Sequence, residues 1–449
     1  MRSIYKLLFV VILASSSFVL AQDAEAFREA FLAGELSWDE VVARAQEEGE
    51  VRWFHWGGSD ELNFWVEQEV VPAMAELGIT LETSRVPDTR DAVDQVLADE
   101  ATGSGLGEGT VDAVWINGEN FLTLAAQDLL FGAFADKLPN SQYFYLEEDD
   151  PKALINRRDN GFPTELREVP WAQFQYTCMV DTARLPREDA PNTLEELETF
   201  VQNNPGRFTY VRPPDYIGNT FVQSVLYASS QQDATAFLEP LDAYTPEEFA
   251  ALIEPGFEYL KRIEPFLLGG SGQEGARGNP IYPENQAANE AFLINGEVDM
   301  LCQMGAFTAA IGVQNGRFAE TIENIVFPEG NMLANKSFIA IPSTAPNPAA
   351  ALVLANVLSS PESHISKLGA LGYFPGVDVP LLSDEQQREV EAAAPSLRGL
   401  TFDELAANEV PDTNATLIEV IQEVWEGYIA QDTEATVLEL VQAVYDARQ

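Results

Sequence analysis

The sequence predicts an α/β protein of two doubly wound units, joined by a two-segment hinge and separated by a cleft. Three observations carry this. Short apolar runs alternate with helical patterns through residues 51–116, and the alternation recurs between 207 and 302. Two extended stretches, near 171–181 and 324–342, lead from one half to the other. The 449 residues are enough for two or three ordinary domains.

Residues 23–48 are helical in pattern, with Phe27, Phe31, Leu32, Val41 and Val42 on an apolar side. Residues 51–55 form a short strand that ends in Trp56-Gly57-Gly58-Ser59. Ser59 or Asp60 can cap the next helix, in which Leu62, Val66, Val70 and Met74 recur at helical spacing. Gly78 stops that helix. Residues 79–86 alternate as a strand does, and Pro87-Asp88-Thr89 opens a second helix. After a flexible Gly-rich loop at 103–109, residues 111–116 are a third strand, ending in Asn117-Gly118-Glu119-Asn120. Strands separated by such helices imply a parallel sheet with right-handed crossovers. Ligands of such sheets sit beyond the carboxyl ends of the strands, which selects the loops 56–59, 87–89 and 117–120.

Further on, residues 169–181 are one long extended stretch, and 207–211 read as a strand before Pro213-Pro214-Asp215-Tyr216 and a helix over 221–228. Residues 298–302 are another strand, ending in Gln303-Met304-Gly305. Residues 324–328 and 336–342 are extended pieces that carry the chain back, and 349–358 and 417–447 are helical. The Gly-rich run 269–278 reads as a mobile surface loop.

Composition excludes several functions. Asp and Glu number 72 against 25 Lys and Arg, a formal charge of −47, the wrong sign for a nucleic-acid binder. Such acidity with scarce lysine suits salty surroundings and says little about a ligand. Two His, two Cys and no Cys-x-x-Cys pair leave little for a metal cage, and no cofactor is expected. Cys178 and Cys302 lie in separate strand-like runs, where a disulfide and two buried thiols are both open readings.

The runs Trp56-Gly57-Gly58-Ser59, Trp115-Ile116-Asn117-Gly118-Glu119-Asn120-Phe121 and Leu129-Leu130-Phe131-Gly132 resemble those of YnjB-type extracellular solute-binding proteins, family 1-like. So do Gly206-Arg207-Phe208-Thr209-Tyr210, Pro213-Pro214-Asp215 and Ser360-Pro361-Glu362. The resemblance spans roughly residues 48–445. It implies a type II periplasmic-binding-protein-like fold that captures a small solute by domain closure for the inner-membrane permease of an ABC importer, without enzymatic activity. The expected division is a first domain of 22–172 with 336–449 and a second of 173–335, in a protein expected to be a monomer.

The candidate ligand residues follow from the strand ends. Trp56, Trp115 and Trp171 could stack on a planar ring or hold a cation, though each also suits a core. Gly57 and Gly58 would let a ligand approach the backbone, beside the hydroxyls of Ser59 and Thr89. Asp88, Glu119 and Asp215 could supply negative charge, while Asp88 and Asp215 equally suit helix caps. Asn117, Asn120, Gln173, Asn219 and Gln303 could supply amides, and Tyr216 and Phe307 could close the cleft from the second unit. His55 suits a core or supporting role better than metal ligation, and His364 reads as a surface residue. No lysine lies in these loops, which favours an organic cation or amine, such as a thiamine-like compound, over a neutral sugar. The competing readings are an exported hydrolase or lyase using Asp88 and Glu119, and a sugar-binding or chemosensory protein. No motif pairs a base with a nucleophile as an enzyme requires.

Arg2 and Lys6 precede an apolar run over 7–20, and Val19-Leu20-Ala21 supplies the small residues a signal peptidase reads. The chain is therefore expected to be exported to the periplasm with residues 1–21 removed. N-terminal sequencing of the exported protein should begin at Gln22, and Met1 on membrane-bound material would contradict this.

Overall fold

The computed structural model describes residues 23–230, 234–326 and 330–448. The expected signal segment and Pro328 lie outside the described residues. In the first unit, strands β1 (Glu50–Trp56), β2 (Thr80–Val86) and β3 (Ala113–Ile116) lie parallel in the order β2-β1-β3, with Glu50 opposite Thr80 and Trp53 opposite Ala113. Strands β4 (Arg158–Asp159) and β5 (Phe162–Pro163) form a hairpin closed by Asn160-Gly161. Both turn residues have positive φ, 41° and 72°, as a two-residue hairpin turn demands.

The remaining strands are β6 (Glu168–Asp181), β7 (Gly270–Gln273), β8 (Ala276–Gly278), β9 (Met300–Met304), β10 (Ile322–Ile325), β11 (Met332–Ala340) and β12 (Glu409–Pro411). The main sheet runs β10-β6-β11-β3-β1-β2, with β9 also beside β6 and β12 beside β11. β6 belongs to both units. Its first half, to Gln175, pairs antiparallel with β11, and from Tyr176 onward it pairs with β9 and β10.

Side-chain alternation divides the first unit's core between the two faces of its sheet. Trp53, Trp115, Trp171 and Ile339 pack on one face with Leu352, and Val114, Ile116 and Phe338 pack on the other with Val96 and Phe121. The second unit has its own core around Tyr176, Phe221, Phe249 and Leu260.

Four expectations are corrected. Residues 207–211 form no strand, because their backbone groups bond singly to separate segments, Arg207 to Asp299 and Phe208 to Leu268, rather than along one neighbour. The Gly-rich run is the hairpin β7–β8, tied down by an Arg277–Glu264 ion pair at 3.0 Å and by Arg277 Nη2 donating to the Ile429 carbonyl at 2.9 Å. The helices Ala415–Trp425 and Val437–Ala447 share the second unit's core through Leu417, Val420, Trp425 and Val441. His364 is fully buried, because His364, Lys367, Leu368 and Leu371 share the inner face of the helix Pro361–Leu371. Its Nδ1 accepts from the Gly376 N–H at 3.2 Å, and burial pulls its pKa well below the usual histidine value.

Cys178 on β6 and Cys302 on β9 stand opposite one another and are joined by a disulfide across 124 residues of chain. A cross-link closing so long a loop restricts the unfolded chain strongly. The Cys178→Ala/Cys302→Ala variant should lose about 2–5 kcal/mol in urea unfolding. An unchanged midpoint would show that the bond does not stabilise the folded state.

Candidate functional site

Each expected loop is held between the strand before it and the helix after it. Ser59 Oγ accepts from the Leu62 N–H at 3.2 Å, Asp88 Oδ1 from Arg90 at 2.7 Å and Asp215 Oδ1 from Ile217 at 2.9 Å, so all three are helix caps. Asn117 precedes the helix Gly118–Ala125 without a capping bond. The two glycines serve the protein itself. A Cβ on Gly57 would lie 2.6 Å from Arg85 Cβ, and one on Gly58 would lie 2.3 Å from the Trp56 indole. They make room for these neighbours.

Three further candidates are core residues. Trp171 is fully buried among Trp53, Trp65 and Trp115, with ring centroids 5.6, 6.4 and 4.6 Å away. Gln303 is buried against Met179, and Phe307 is buried against Phe374 and Phe402. Asn219 supports its own loop by donating to the Pro214 carbonyl at 3.1 Å, and Thr89 Oγ1 reaches the Trp115 carbonyl at 3.3 Å. Gln173 is half-buried, its backbone N–H on the Phe374 carbonyl at 3.0 Å. Burial lowers the pKa of His55, whose Nδ1 lies 2.8 Å from the Trp56 carbonyl oxygen.

Trp56 and Trp115 begin a continuous aromatic row. Their rings meet edge to face at 6.3 Å, Trp115 stacks on Phe174 at 6.3 Å and 13°, and Phe174 meets Tyr373 at 4.6 Å. On the neighbouring strand, Asn335 stands opposite Phe174.

Asn335 leads to a cluster of carboxylates. Its Nδ2 donates to Asp412 Oδ2 at 3.2 Å and to the Tyr216 hydroxyl, which itself donates to Asp412 Oδ2 at 2.9 Å. The Asn160 amide, turned so that its nitrogen faces the acids, donates to Asp412 Oδ2 and to Asp159 Oδ1, each at 3.2 Å. Asp159 Oδ2 accepts from the Gly118 N–H at 2.7 Å, which brings the start of the Glu119 helix to the same place.

The electrostatics are one-sided. Burial raises the Glu119 pKa to about 7, and the charges of Asp412 and Asp88 add to the rise. Burial likewise lifts Asp412 to about 6, and Asp215 to about 6 with help from Asp88. Asp159 is raised well above the usual range by burial, then by Asp412 and Glu119. Arg90 opposes the rise of Glu119, and Arg90 itself pairs with Asp94 at 2.8 Å. Lys336, on the adjacent strand, is occupied by Asn156 Oδ1 at 2.5 Å, the Gly376 carbonyl at 2.6 Å and Asp378 at 3.5 Å.

A cavity of ≈ 1610 Å³ opens onto Asp159, Asn160, Asn335 and Asp412, with Leu154, Phe162 and Leu241 on its sides. The sequence offered signals for this region that sequence reasoning passed over, namely the Asn160-Gly161 hairpin pair and the Pro411-Asp412-Thr413-Asn414 run before a helix. At the opposite rim, Asn315 Nδ2 donates to Glu61 Oε1 at 2.5 Å, a contact between the two units. Among the described residues no three His, Cys, Asp or Glu are grouped to hold a metal ion, and no helix is long and apolar enough to cross a membrane.

Residues 70–394 match the model of the family described as bacterial extracellular solute-binding protein. The chain is 31% identical over 361 residues to Protein YnjB of Escherichia coli (strain K12), covering 80% of this chain and 87% of that protein. Among solved structures, an ABC transporter solute-binding protein from Thermotoga lettingae TMO, bound with alpha-D-tagatose, matches with a TM-score of 0.65 at 14% identity, over 89% of this chain and 98% of that one. An ABC transporter substrate-binding protein from Bradyrhizobium japonicum USDA 110 matches with a TM-score of 0.56 at 18% identity, over 85% and 99%. These folds are the two-domain periplasmic-binding type, and such proteins bind solutes without converting them. The chain belongs to the bacterial extracellular solute-binding proteins and is a solute-binding component of an ABC transporter.

Proposed function

We propose that this solute-binding component captures a small organic cation, an amine or thiamine-like compound, between its units and delivers it to an inner-membrane permease. The supporting observation is the meeting of Glu119, Asp159 and Asp412, with Asp88 adding to the field on Glu119 and Arg90 opposing it. Buried carboxylates without a counter-ion are costly, and a bound cation would supply one. The faces of Trp56, Trp115, Phe174 and Tyr373 suit the rest of such a solute. A neutral sugar is the second reading, since the same rings suit a sugar face. The protein acts, in this reading, as an exported periplasmic monomer. Its first domain comprises residues 22–172 and 336–407, and its second 173–335 and 408–448, the last two helices being assigned by the core they share with the second unit.

Calorimetry with thiamine, choline and putrescine, set against neutral hexoses, tests this reading. A cation should bind, and Asp412→Asn or Glu119→Gln should weaken it about 10-fold or more. Tight hexose binding that is indifferent to Glu119→Gln, with no cation bound, would eliminate the cation.

The same carboxylates fix a pH dependence. Their folded pKa values exceed those of unfolded Asp and Glu, so the folded state holds extra protons and loses stability as pH rises through about 6 to 7. The ligand-free protein should melt higher at about pH 5 than at about pH 8, and Asp412→Asn should narrow the gap. Equal narrowing by a surface Asp→Asn control would assign the effect to overall charge instead.

A further inference from the structure

The cavity beside the carboxylates has a divided lining. Its polar floor is Asp159, Asn160, Asn335 and Asp412, and its sides include Leu154, Phe162, Leu241 and Val410. Each of the four basic residues that border it has a partner in the protein. Lys152 lies over the Tyr145 ring at 4.8 Å, Arg158 donates to the Gly161 carbonyl at 2.7 Å, Arg448 pairs with Glu419, and Lys336 is held as described above.

The hydrogen-bond inventory of that floor is asymmetric. Its donors are spent within the protein, since the Asn335 nitrogen serves Tyr216 and Asp412 and the Asn160 nitrogen serves both carboxylates. Asn335 Oδ1, on a side chain only 7% exposed that lines the cavity, has no partner. What the floor offers is therefore negative charge and acceptors. A quaternary ammonium brings charge but no N–H, and would leave Asn335 Oδ1 buried and unpaired. A neutral alcohol brings a donor but leaves the carboxylates uncompensated. A protonated primary or secondary amine supplies both. The apolar sides, with Leu154 58% exposed, add a place for hydrocarbon.

Resting on the cation reading above, we infer that the solute is a protonated primary or secondary amine with an apolar body. Its N–H groups meet Asn335 Oδ1, Asp159 and Asp412, and its body lies along Leu154, Phe162 and Leu241. This narrows the solute class, and moves its body from the aromatic row of Trp56, Trp115, Phe174 and Tyr373 to the cavity beside β11.

The test is calorimetry on the full mature protein with four probes: 2-phenylethylammonium, its N,N,N-trimethyl analogue, methylammonium and 2-phenylethanol. The first should bind about 10-fold or more tightly than each of the others. Leu154→Ser, at an exposed position that folding tolerates, should weaken 2-phenylethylammonium about 3-fold or more and leave methylammonium unchanged. Equal binding of the trimethyl analogue would overturn the N–H requirement while leaving the cation reading intact. Equal binding of methylammonium, or indifference to Leu154→Ser, would overturn the apolar body. Equal binding of 2-phenylethanol would overturn the cation reading as well. Failure of all four to bind would overturn this inference alone, and the thiamine, choline and putrescine panel would still decide the broader reading.

Discussion

The antiparallel pairing of β6 with β11 is the constraint on which the site depends. β6 begins in the first unit's sheet and ends in the second's, and β11 runs beside its first half. Their register sets Phe174, a member of the aromatic row, opposite Asn335, the residue that leads into the carboxylates. β12 then joins along the start of β11, with Met332 opposite Glu409 and Ala334 opposite Pro411, and this pairing delivers Asp412 to Asn335 and Tyr216. A slip of one residue would turn each of these side chains to the other face of the sheet.

The energetic consequence is a concentrated cost. Tyr216, Asn160, Asn335 and the N–H groups of Gly118 and Thr413 give the carboxylates neutral donors but no counter-charge. Neutral donors satisfy oxygen lone pairs without cancelling the field, so the acids retain protons instead. Two other buried acids are instead paired directly with basic side chains. Glu264, 1% exposed, has Lys261 at 3.2 Å and Arg277 at 3.0 Å, and Asp299 has Arg184 at 3.1 Å and also Arg207. Among the described residues, Asp159 and Asp412 have no such ion pair and carry only neutral donors.

Much of the frame was legible in the sequence because its signals are local. β1, β2, β3 and β6 announce themselves by apolar runs and alternation, and Ser59, Asp88 and Asp215 by their places before helices. The carboxylate cluster was half legible. Glu119 follows from the end of β3 and Asp215 and Tyr216 from the start of a helix, whereas Asp159 and Asp412 meet through Asn160, a contact between segments more than 250 positions apart in the chain. Both sit in runs whose local reading, a hairpin turn and a helix start, is itself correct, so nothing in the pattern asks for a second role. Gly57 and Gly58 have a packing requirement that local pattern does not show, the close approach of the Arg85 side chain and the Trp56 ring. His364 looked exposed among Ser363, Ser366 and Lys367, yet that helix turns its His and Lys inward beneath Trp171.

Cation capture by protonated acids carries a stoichiometric signature. A cation entering the site must expel the protons that Asp412 and Glu119 hold near neutral pH. Calorimetry of the bound amine at about pH 6.5, repeated in buffers of different ionisation enthalpy, counts those protons directly. The account predicts net proton release on binding, diminished in Asp412→Asn; binding without release, or with proton uptake, would contradict it.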